Sequence, residues 1–175
     1  MNKNSLKDIA TQVIDLEINA LKILKKSINK SFDKAVNTIV NCQSKIILCG
    51  VGKSGLIAAK IAYTLSSVGS PAFSLSANDC LHGDLGSITR KDVLILISNS
   101  GKSEEIIPII KFANRNKIKL IGIVSKKNSF LYKGSDIKIL LPEVKESGLG
   151  VVPTSSTSIQ SVSYTHLTLP TTPYV

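Results

Sequence analysis

The hydrophobic residues of the chain follow two different spacings. Before residue 30, apolar side chains recur every three or four positions, at Ile9, Val13, Leu16, Ala20, Ile23, Leu24 and Ile28. This spacing predicts a long amphipathic helix over Leu6–Ile28, followed by a second helix over Phe32–Val40. From residue 46 onward, short continuous apolar runs alternate with segments of helical spacing. That alternation is typical of strands connected by helices.

The apolar runs predict five strands and therefore a fold class. They lie at Ile46–Cys49, Ala72–Leu75, Val93–Ile97, Leu120–Val124 and Ile137–Leu141, and helices are predicted over Leu56–Ser67, over Glu104–Asn116 and near Phe130. Strands that are apolar throughout and alternate with helices are buried on both faces. We therefore predict an α/β fold, a doubly wound five-stranded parallel sheet with N-terminal helices. Such sheets bind ligands at the carboxyl ends of the strands, near the point where the strand order reverses.

The composition is that of one globular domain. Of the 175 residues, 43% are hydrophobic, and no apolar run approaches the roughly 20 residues of a membrane span. The first residues lack the apolar core of a signal peptide, so we expect a cytoplasmic protein that does not bind a membrane. Three cysteines without CxxC spacing, Cys42, Cys49 and Cys80, predict reduced thiols that pack partly in the core.

The excess of basic residues permits more than one explanation. The 22 basic and 12 acidic residues give a net charge of +10. Lysines are spread along the whole chain without interleaved aromatic residues, which argues against a nucleic-acid partner. Charge alone does not separate an ordinary solvated surface from one that steers a phosphorylated substrate toward a cleft.

A glycine-rich loop, Gly50-Val-Gly-Lys-Ser-Gly55, lies between a predicted strand and a predicted helix. Its spacing is that of a dinucleotide-binding loop, but the next strand ends at Ser76 without the acidic residue that would bind ribose. It is not a P-loop, because Ile47 stands where that motif requires glycine. The remaining interpretation is a turn whose backbone N–H groups face an anion, with Lys53 beside it. A turn needed only for close packing of strand and helix would not account for the lysine.

Three further polar segments follow strands. Ser98-Asn-Ser-Gly-Lys-Ser-Glu-Glu105 precedes a predicted helix, and its hydroxyl groups suit phosphate oxygens. The carboxylates at the end of this loop, Glu104 and Glu105, lie in the first turn of the predicted helix, where the helix dipole stabilises negative charge. A carboxylate there suits proton transfer better than anion binding. His82-Gly-Asp-Leu-Gly86 places a histidine in a loop, where functional and ordinary surface roles both fit. Pro153-Thr-Ser-Ser-Thr157 predicts a helix N-cap or another hydroxyl cradle, and the two are compatible.

Together, these segments resemble the sugar isomerase (SIS) domain and, more narrowly, the arabinose 5-phosphate isomerase family. The resemblance runs from about Leu6 to Val162 and rests on the glycine loop, His82–Gly86, Ser98–Gly101 with Glu105, Lys145-Glu146 and Val152–Thr157. It implies a flavodoxin-like SIS fold, a homotetramer and no cofactor. The implied reaction interconverts D-ribulose 5-phosphate and D-arabinose 5-phosphate, the precursor of the sugar acid Kdo in lipopolysaccharide and some capsules.

The resemblance also implies roles for individual residues. Catalytic positions map onto Lys53, Glu105 and Glu146, and a substrate-contacting histidine maps onto His82. Gly69 and Ser70 map onto substrate contacts, and the binding loops add Gly52, Ser54, Ser98, Asn99, Ser100, Ser103, Thr154, Ser155, Ser156 and Thr157. Relatives often carry a metal-binding His-Pro after the second strand. Ser76-Ala77 stands there in this chain, so no metal site is expected.

The end of the chain departs from the family pattern. Relatives continue the helix after the Thr-Ser-Ser-Thr run with Gly-Asp-Ala-Leu-Ala, then supply another catalytic histidine and often two CBS domains. Residues Ser163–Val175 carry no charge, lack helical spacing and contain Pro170 and Pro173. We therefore expect an SIS domain over residues 1–162, no CBS domains, and a poorly ordered tail over 163–175 that is either foreign or a genuine short variant. The sheet would then lack one covering helix, and isomerase activity would be low or absent.

The implied reaction assigns a task to each candidate residue. An aldose–ketose isomerase opens the sugar ring, moves a proton between C1 and C2, and stabilises an enediolate. Glu105 or Glu146 would carry the proton, Lys53 would stabilise the oxyanion, and His82 would help to open or orient the sugar. The alternatives are a non-catalytic sugar-phosphate-binding regulatory module and a dinucleotide-dependent oxidoreductase. The first usually carries a helix-turn-helix domain, which the first forty residues do not suggest, and the missing acid after the second strand argues against the second.

Overall fold

Five parallel strands form the centre of the fold. The structure, a computed structural model, describes residues 5–146 and 152–168. The strands are β1 (Ile46–Gly50), β2 (Ala72–Ser76), β3 (Val93–Ser98), β4 (Lys119–Val124) and β5 (Ile137–Leu140). The helices are α1 (Leu6–Ser27), α2 (Lys30–Val40), α3 (Lys53–Ser67), α4 (Ala77–Cys80), α5 (Ile106–Asn116), α6 (Phe130–Gly134) and α7 (Ser155–Thr168), with a 3-10 helix at Asp84–Ser87. The predicted strands and long helices are confirmed to within a few residues.

The strand order creates one reversal point. The sheet runs β2-β1-β3-β4-β5, and all neighbouring strands are parallel. The chain therefore leaves β1 toward one edge of the sheet and later returns to build β3, β4 and β5 on the other side. This is the doubly wound α/β arrangement predicted from the sequence, and its switch point lies between β1 and β3.

Helices cover both faces of the sheet, so alternate strand residues enter two cores. On β1, Ile46 and Leu48 pack with α1, α2, α3 and α7, whereas Ile47 and Cys49 pack with α4, α5 and α6. Burial on both faces explains why the central strands are apolar throughout. No helix formed by the described residues is both long and apolar enough to span a membrane.

The last helix, α7, corrects the prediction for the tail. The sequence predicts a domain that ends at Val162, but α7 continues to Thr168. Tyr164 is buried in the same core as Ile159, and its hydroxyl and ring both contact the Lys60 ammonium of α3. The prolines bar a helix only from Pro170 onward, so the backbone before them was free to extend α7. The expected loss of a covering helix is therefore wrong. The rest of the tail, residues 169–175, lies outside the described residues.

The three cysteines are free, as predicted, and two of them are buried. Cys49 on β1 and Cys80 on α4 pack in the core between the sheet and α5. A hydrogen bond with the Cys80 thiol, together with burial, raises the pKa of the Cys49 thiol. Cys49 is therefore a packed thiol and not a nucleophile.

A buried carboxylate ties the start of β3 to the start of β1. Asp92 is 1% exposed, and it accepts hydrogen bonds from the Thr89 N–H at 2.6 Å and the Lys45 Nζ at 2.9 Å. Burial opposes ionisation of Asp92, but these hydrogen bonds outweigh it and lower the pKa from 3.8 to about 2. The carboxylate is therefore charged in the folded protein at neutral and mildly acidic pH.

We expect Asp92→Asn to lower the free energy of unfolding at neutral pH by about 2 kcal/mol. The stabilisation by Asp92 is fully present above its ordinary pKa of 3.8 and is lost as the pH falls toward about 2. Urea unfolding from pH 7 to pH 2 measures both effects. The difference between wild type and variant should shrink with acid, and a constant difference would show that the charge of Asp92 is not responsible.

Candidate functional site

The loops after β1 and β3 meet the start of α7 at the switch point. Together they line a cleft of about 300 Å³ formed by Val51, Lys53, Ser54, Asn99, Pro153, Ser156, Thr157 and Gln160. Lys53 is the one charged residue among these described lining residues. Most of the others carry a hydroxyl or amide group, so the cleft suits a small polar anion.

Two close backbone contacts shape the glycine loop. A Cβ atom on Gly50 would lie 2.8 Å from the Ser54 carbonyl carbon, and one on Gly55 would lie 2.8 Å from the Gly50 oxygen. Gly52 has a φ of +58° and precedes α3 without a side-chain cap. The loop can therefore fold tightly enough for α3 to begin at Lys53, and the positive end of the helix dipole faces the cleft.

Lys53 combines exposure with a position on the first turn of α3. None of the salt bridges within 5–146 and 152–168 involves it. A lysine that is free of carboxylate partners and faces hydroxyl groups is available for an anionic ligand.

The loop after β3 is held by its own side chains. Ser98 is buried, and its Oγ accepts the Gly101 N–H at 3.0 Å. Asn99 accepts the Ser125 hydroxyl through Oδ1 at 2.7 Å and the Ser125 N–H through its backbone oxygen at 3.1 Å. The Ser100 Oγ accepts the Lys102 N–H at 3.3 Å. Asn99 lines the cleft, whereas the buried Ser98 holds the loop behind it in place.

Gly101 is a position where a side chain cannot be accommodated. Its φ is +63°, and a Cβ would lie 2.5 Å from Ser129 Oγ and 2.6 Å from Val124 Cγ2, both in buried residues. We expect Gly101→Ala to destabilise the protein by about 2 kcal/mol or more, because overpacking adds to the backbone strain.

Gly52→Ala is the matched control, since Gly52 also has a positive φ but no atom lies within 4 Å of its Cβ position. Its expected cost is only the strain, about 1 kcal/mol. Urea unfolding of both variants measures the difference. Equal losses of stability would show that contacts with Ser129 and Val124 do not determine the need for glycine at 101.

Glu146 caps the N-terminus of α7. Its Oε2 accepts the Thr154 N–H at 2.7 Å, the Thr154 hydroxyl at 3.1 Å and the Ser156 N–H at 3.2 Å. Burial alone would raise the pKa of Glu146, but the hydrogen bonds from Ser156 and Thr154 outweigh it and lower the pKa. The carboxylate is therefore ionised and holds in place the hydroxyl residues that line the cleft. It also satisfies the dipole of α7, which leaves α3 and Lys53 as the sources of positive potential.

Several predicted site residues are not among those that line the cleft. Glu105 is half-buried just before α5, and its carboxylate accepts no hydrogen bond from the described part of the chain. Ser100 and Ser103 lie in the same loop, and Thr154 and Ser155 belong to the capped start of α7. Thr157 and Ser156 line the cleft itself.

Gly69, Ser70 and His82 are not brought to the cleft of the same chain. Gly69 and Ser70 connect the end of α3 to the start of β2, so they lie at the amino ends of the strands, away from the cleft. His82 is exposed beyond α4, after the edge strand β2. Their roles as substrate contacts stay predictions. Among the described residues, no three His, Cys, Asp or Glu side chains cluster closely enough to hold a metal ion.

Sequence reasoning missed Gln160, which is 2% exposed and lines the cleft from the second turn of α7. Its Oε1 accepts a hydrogen bond from the Ser54 hydroxyl at 3.1 Å. The sequence holds a signal for Gln160, because it lies four residues after Ser156 and therefore shares a helix face with that predicted site residue.

Fold and cleft together define a member of the SIS domain family, and residues 39–170 match the family model for that domain. The chain belongs to this family, and the match extends past the boundary predicted at residue 162. Among individual proteins, arabinose 5-phosphate isomerase KdsD of Yersinia pestis is 41% identical over 148 residues, which are 84% of this chain and 45% of that protein. The expected resemblance to arabinose 5-phosphate isomerases is confirmed.

Two further comparisons extend this relationship. Uncharacterized protein RP505 of Rickettsia prowazekii is 40% identical over 159 residues, or 91% of this chain and 50% of that protein. The solved structure of E. coli CFT073 c3406 in complex with arabinose 5-phosphate is 31% identical with a TM-score of 0.92, and the alignment covers 98% of this chain and 92% of that one. The chain spans about half the length of the curated relatives that it matches.

Proposed function

We propose that this chain is an aldose–ketose isomerase that interconverts D-ribulose 5-phosphate and D-arabinose 5-phosphate. The observation that carries the proposal is the likeness to c3406, whose solved structure contains arabinose 5-phosphate, over nearly the whole chain. The identity to the KdsD isomerases supports the same substrate. A role in making the sugar acid Kdo follows from this product and is part of the proposal.

The phosphate or a sugar oxyanion would bind where positive potential and hydroxyl groups meet. Lys53 supplies the charge, α3 points its N-terminus at the same place, and Ser54 lies on its first turn. The enediolate carries negative charge that the ground-state ketose lacks, so a fixed ammonium stabilises it more than it stabilises the substrate. Asn99, Ser156 and Thr157 add further polar groups to the cleft wall.

The proton transfer is assigned to Glu105. In the reaction a carboxylate removes a proton from C1 of the ketose, a C1–C2 double bond forms, and the C2 carbonyl oxygen becomes an oxyanion. The O1 proton then passes to O2, and return of the proton to C2 with formation of the C1 carbonyl gives the aldose. Such a base needs a carboxylate that is free to accept the proton. Glu146 is saturated by three hydrogen bonds that lower its pKa, which suits a positioning role. His82 lies outside the cleft of its own chain, so its role in opening or orienting the sugar stays a prediction.

Several exposed apolar residues along α1 support self-association. Apolar residues along this helix are 39% to 86% exposed, and they are Leu6, Ile9, Ile14, Ile18 and Ile23. Exposed apolar side chains in this number are stabilised by contact with another surface. We propose that they join copies of the chain into the homotetramer implied by the family resemblance, which light scattering would measure.

Isotope exchange tests the proposed reaction directly. The chain should convert D-ribulose 5-phosphate into D-arabinose 5-phosphate, and in D₂O the product should carry deuterium at C2 because the proton passes through a solvent-exchangeable carboxyl group. Proton NMR detects both product and label. Binding of D-arabinose 5-phosphate without turnover would instead identify a sugar-phosphate-binding regulatory module. Stabilisation by NAD in a melting experiment, without stabilisation by phosphosugar, would favour the oxidoreductase alternative.

A further inference from the structure

Gln160 is a buried amide with an unused hydrogen-bonding group. The residue is 2% exposed, and yet it forms part of the cleft wall together with Lys53 and Ser156. It lies on α7, between the capped first turn and the core residue Tyr164. A long polar side chain at such a position is ordinarily either paired or functional.

The Ser54 hydroxyl sets the direction of the Gln160 amide. Ser54 donates to Oε1 at 3.1 Å, which leaves the two N–H groups of Nε2 as donors. Within 5–146 and 152–168 that nitrogen donates to no protein acceptor, and no buried polar side-chain atom of these residues is without a partner. Since Nε2 has no such partner, it is not fully buried. Gln160 lines the cleft, so we place the accessible side of Nε2 there.

We propose that Gln160 binds the substrate directly, by donating from Nε2 to an acceptor oxygen of the phosphosugar held beside Lys53. This inference rests on the proposed function. Ser54 has a second role in it, as the positioning residue that fixes the amide. The acceptor is a sugar hydroxyl or a phosphate oxygen, both of which an amide N–H can bind. Because the amide is neutral, it contributes geometry and selectivity, whereas Lys53 contributes charge.

Gln160→Glu is the sharpest test, because the carboxylate keeps the size of glutamine and still accepts the Ser54 hydroxyl. It replaces the donor with a negative group, so we expect KM for D-ribulose 5-phosphate to rise at least tenfold, with a smaller change in kcat. Gln160→Met, which removes the donor without adding charge, should raise KM in the same direction and covers the case in which the glutamate variant fails to fold. Gln43→Glu, at an exposed position between α2 and β1, controls for the added charge and should leave KM unchanged.

Competition with inorganic phosphate separates the two acceptors. If Nε2 binds the phosphate group, Gln160→Met should weaken inhibition by phosphate and raise KM together. If it binds a sugar hydroxyl, inhibition by phosphate should stay unchanged while KM rises. Either result supports direct binding, whereas folded Gln160 variants with a KM within twofold of the wild type would overturn it.

Melting experiments separate failure of this inference from failure of the proposed reaction. Should the wild type prove inactive, D-arabinose 5-phosphate should still raise its melting temperature and raise that of Gln160→Met less. An equal rise in both would overturn the role of Gln160 alone. No rise in the wild type would overturn both, because the cleft would then not be a phosphosugar site.

Discussion

Replacing Lys53 by glutamine should lower kcat/KM for the pentose phosphate at least about a hundredfold. Lys53 is the one charged group among the described residues of the cleft, and no carboxylate of the described chain pairs with it. Glutamine keeps most of the length and polarity but cannot neutralise an oxyanion. Lys53 is exposed on the first turn of α3, so the free energy of unfolding should change by no more than about 0.5 kcal/mol. Steady-state kinetics and urea unfolding of the same variant test both expectations.

Two further variants make the Lys53 result specific. Lys34→Gln removes another exposed charge, on α2, and should leave kcat/KM near the wild-type value. Lys53→Arg keeps the charge but changes its geometry, so it should recover part of the activity. Wild-type turnover by Lys53→Gln would remove this residue from the mechanism. A matching loss in Lys34→Gln would attribute the effect to the net charge.

Glu105→Gln should lower kcat about a hundredfold or more and change KM little, because it removes a proton acceptor while keeping a hydrogen-bonding side chain. The Glu105 carboxylate accepts no hydrogen bond from the described residues, so its replacement breaks no observed contact. The label experiment in D₂O gives an independent measurement. Deuterium exchange at C2 of D-arabinose 5-phosphate should slow in parallel with kcat.

Glu146→Gln should behave differently, because Glu146 caps α7. The amide loses the charge that accepts two N–H groups and a hydroxyl, and we expect the free energy of unfolding to fall by about 1 kcal/mol at neutral pH. The folded-state pKa of Glu146 is lowered, so its stabilisation is present above the ordinary value of 4.5 and is lost as the pH falls through the lowered pKa. A wild-type kcat in Glu105→Gln, with a hundredfold loss in a stable Glu146→Gln, would reverse the assignment of the base.

The sequence alone determined the elements and their class. Apolar runs such as Val93–Ile97 are continuous because central parallel strands are buried on both faces, and this property can be recognised without knowing the neighbours of a strand. The glycine loop could also be predicted from local sequence, since the close approach of Gly50 and Gly55 occurs within six residues. Hydrophobic period and turn chemistry are properties of adjacent residues, which is why these predictions agree with the structure.

The tertiary structure decided which of the candidate residues share a site. The order β2-β1-β3-β4-β5 puts the loops that follow β1 and β3 side by side at the carboxyl ends of the strands. Gly69 and Ser70 lie at the amino ends. The difference between Glu105 and Glu146 is visible only in the contacts that Glu146 makes with the start of α7.

Only the packing of α7 against α3 places Gln160 beside Ser54, a residue 106 positions earlier in the chain. The same packing buries Tyr164 and extends the domain into the segment for which the sequence predicts a loose tail. Contacts of this kind join residues that are far apart in sequence. Their free energy depends on the assembled core, whereas hydrophobic period and turn chemistry report only the local environment of a residue.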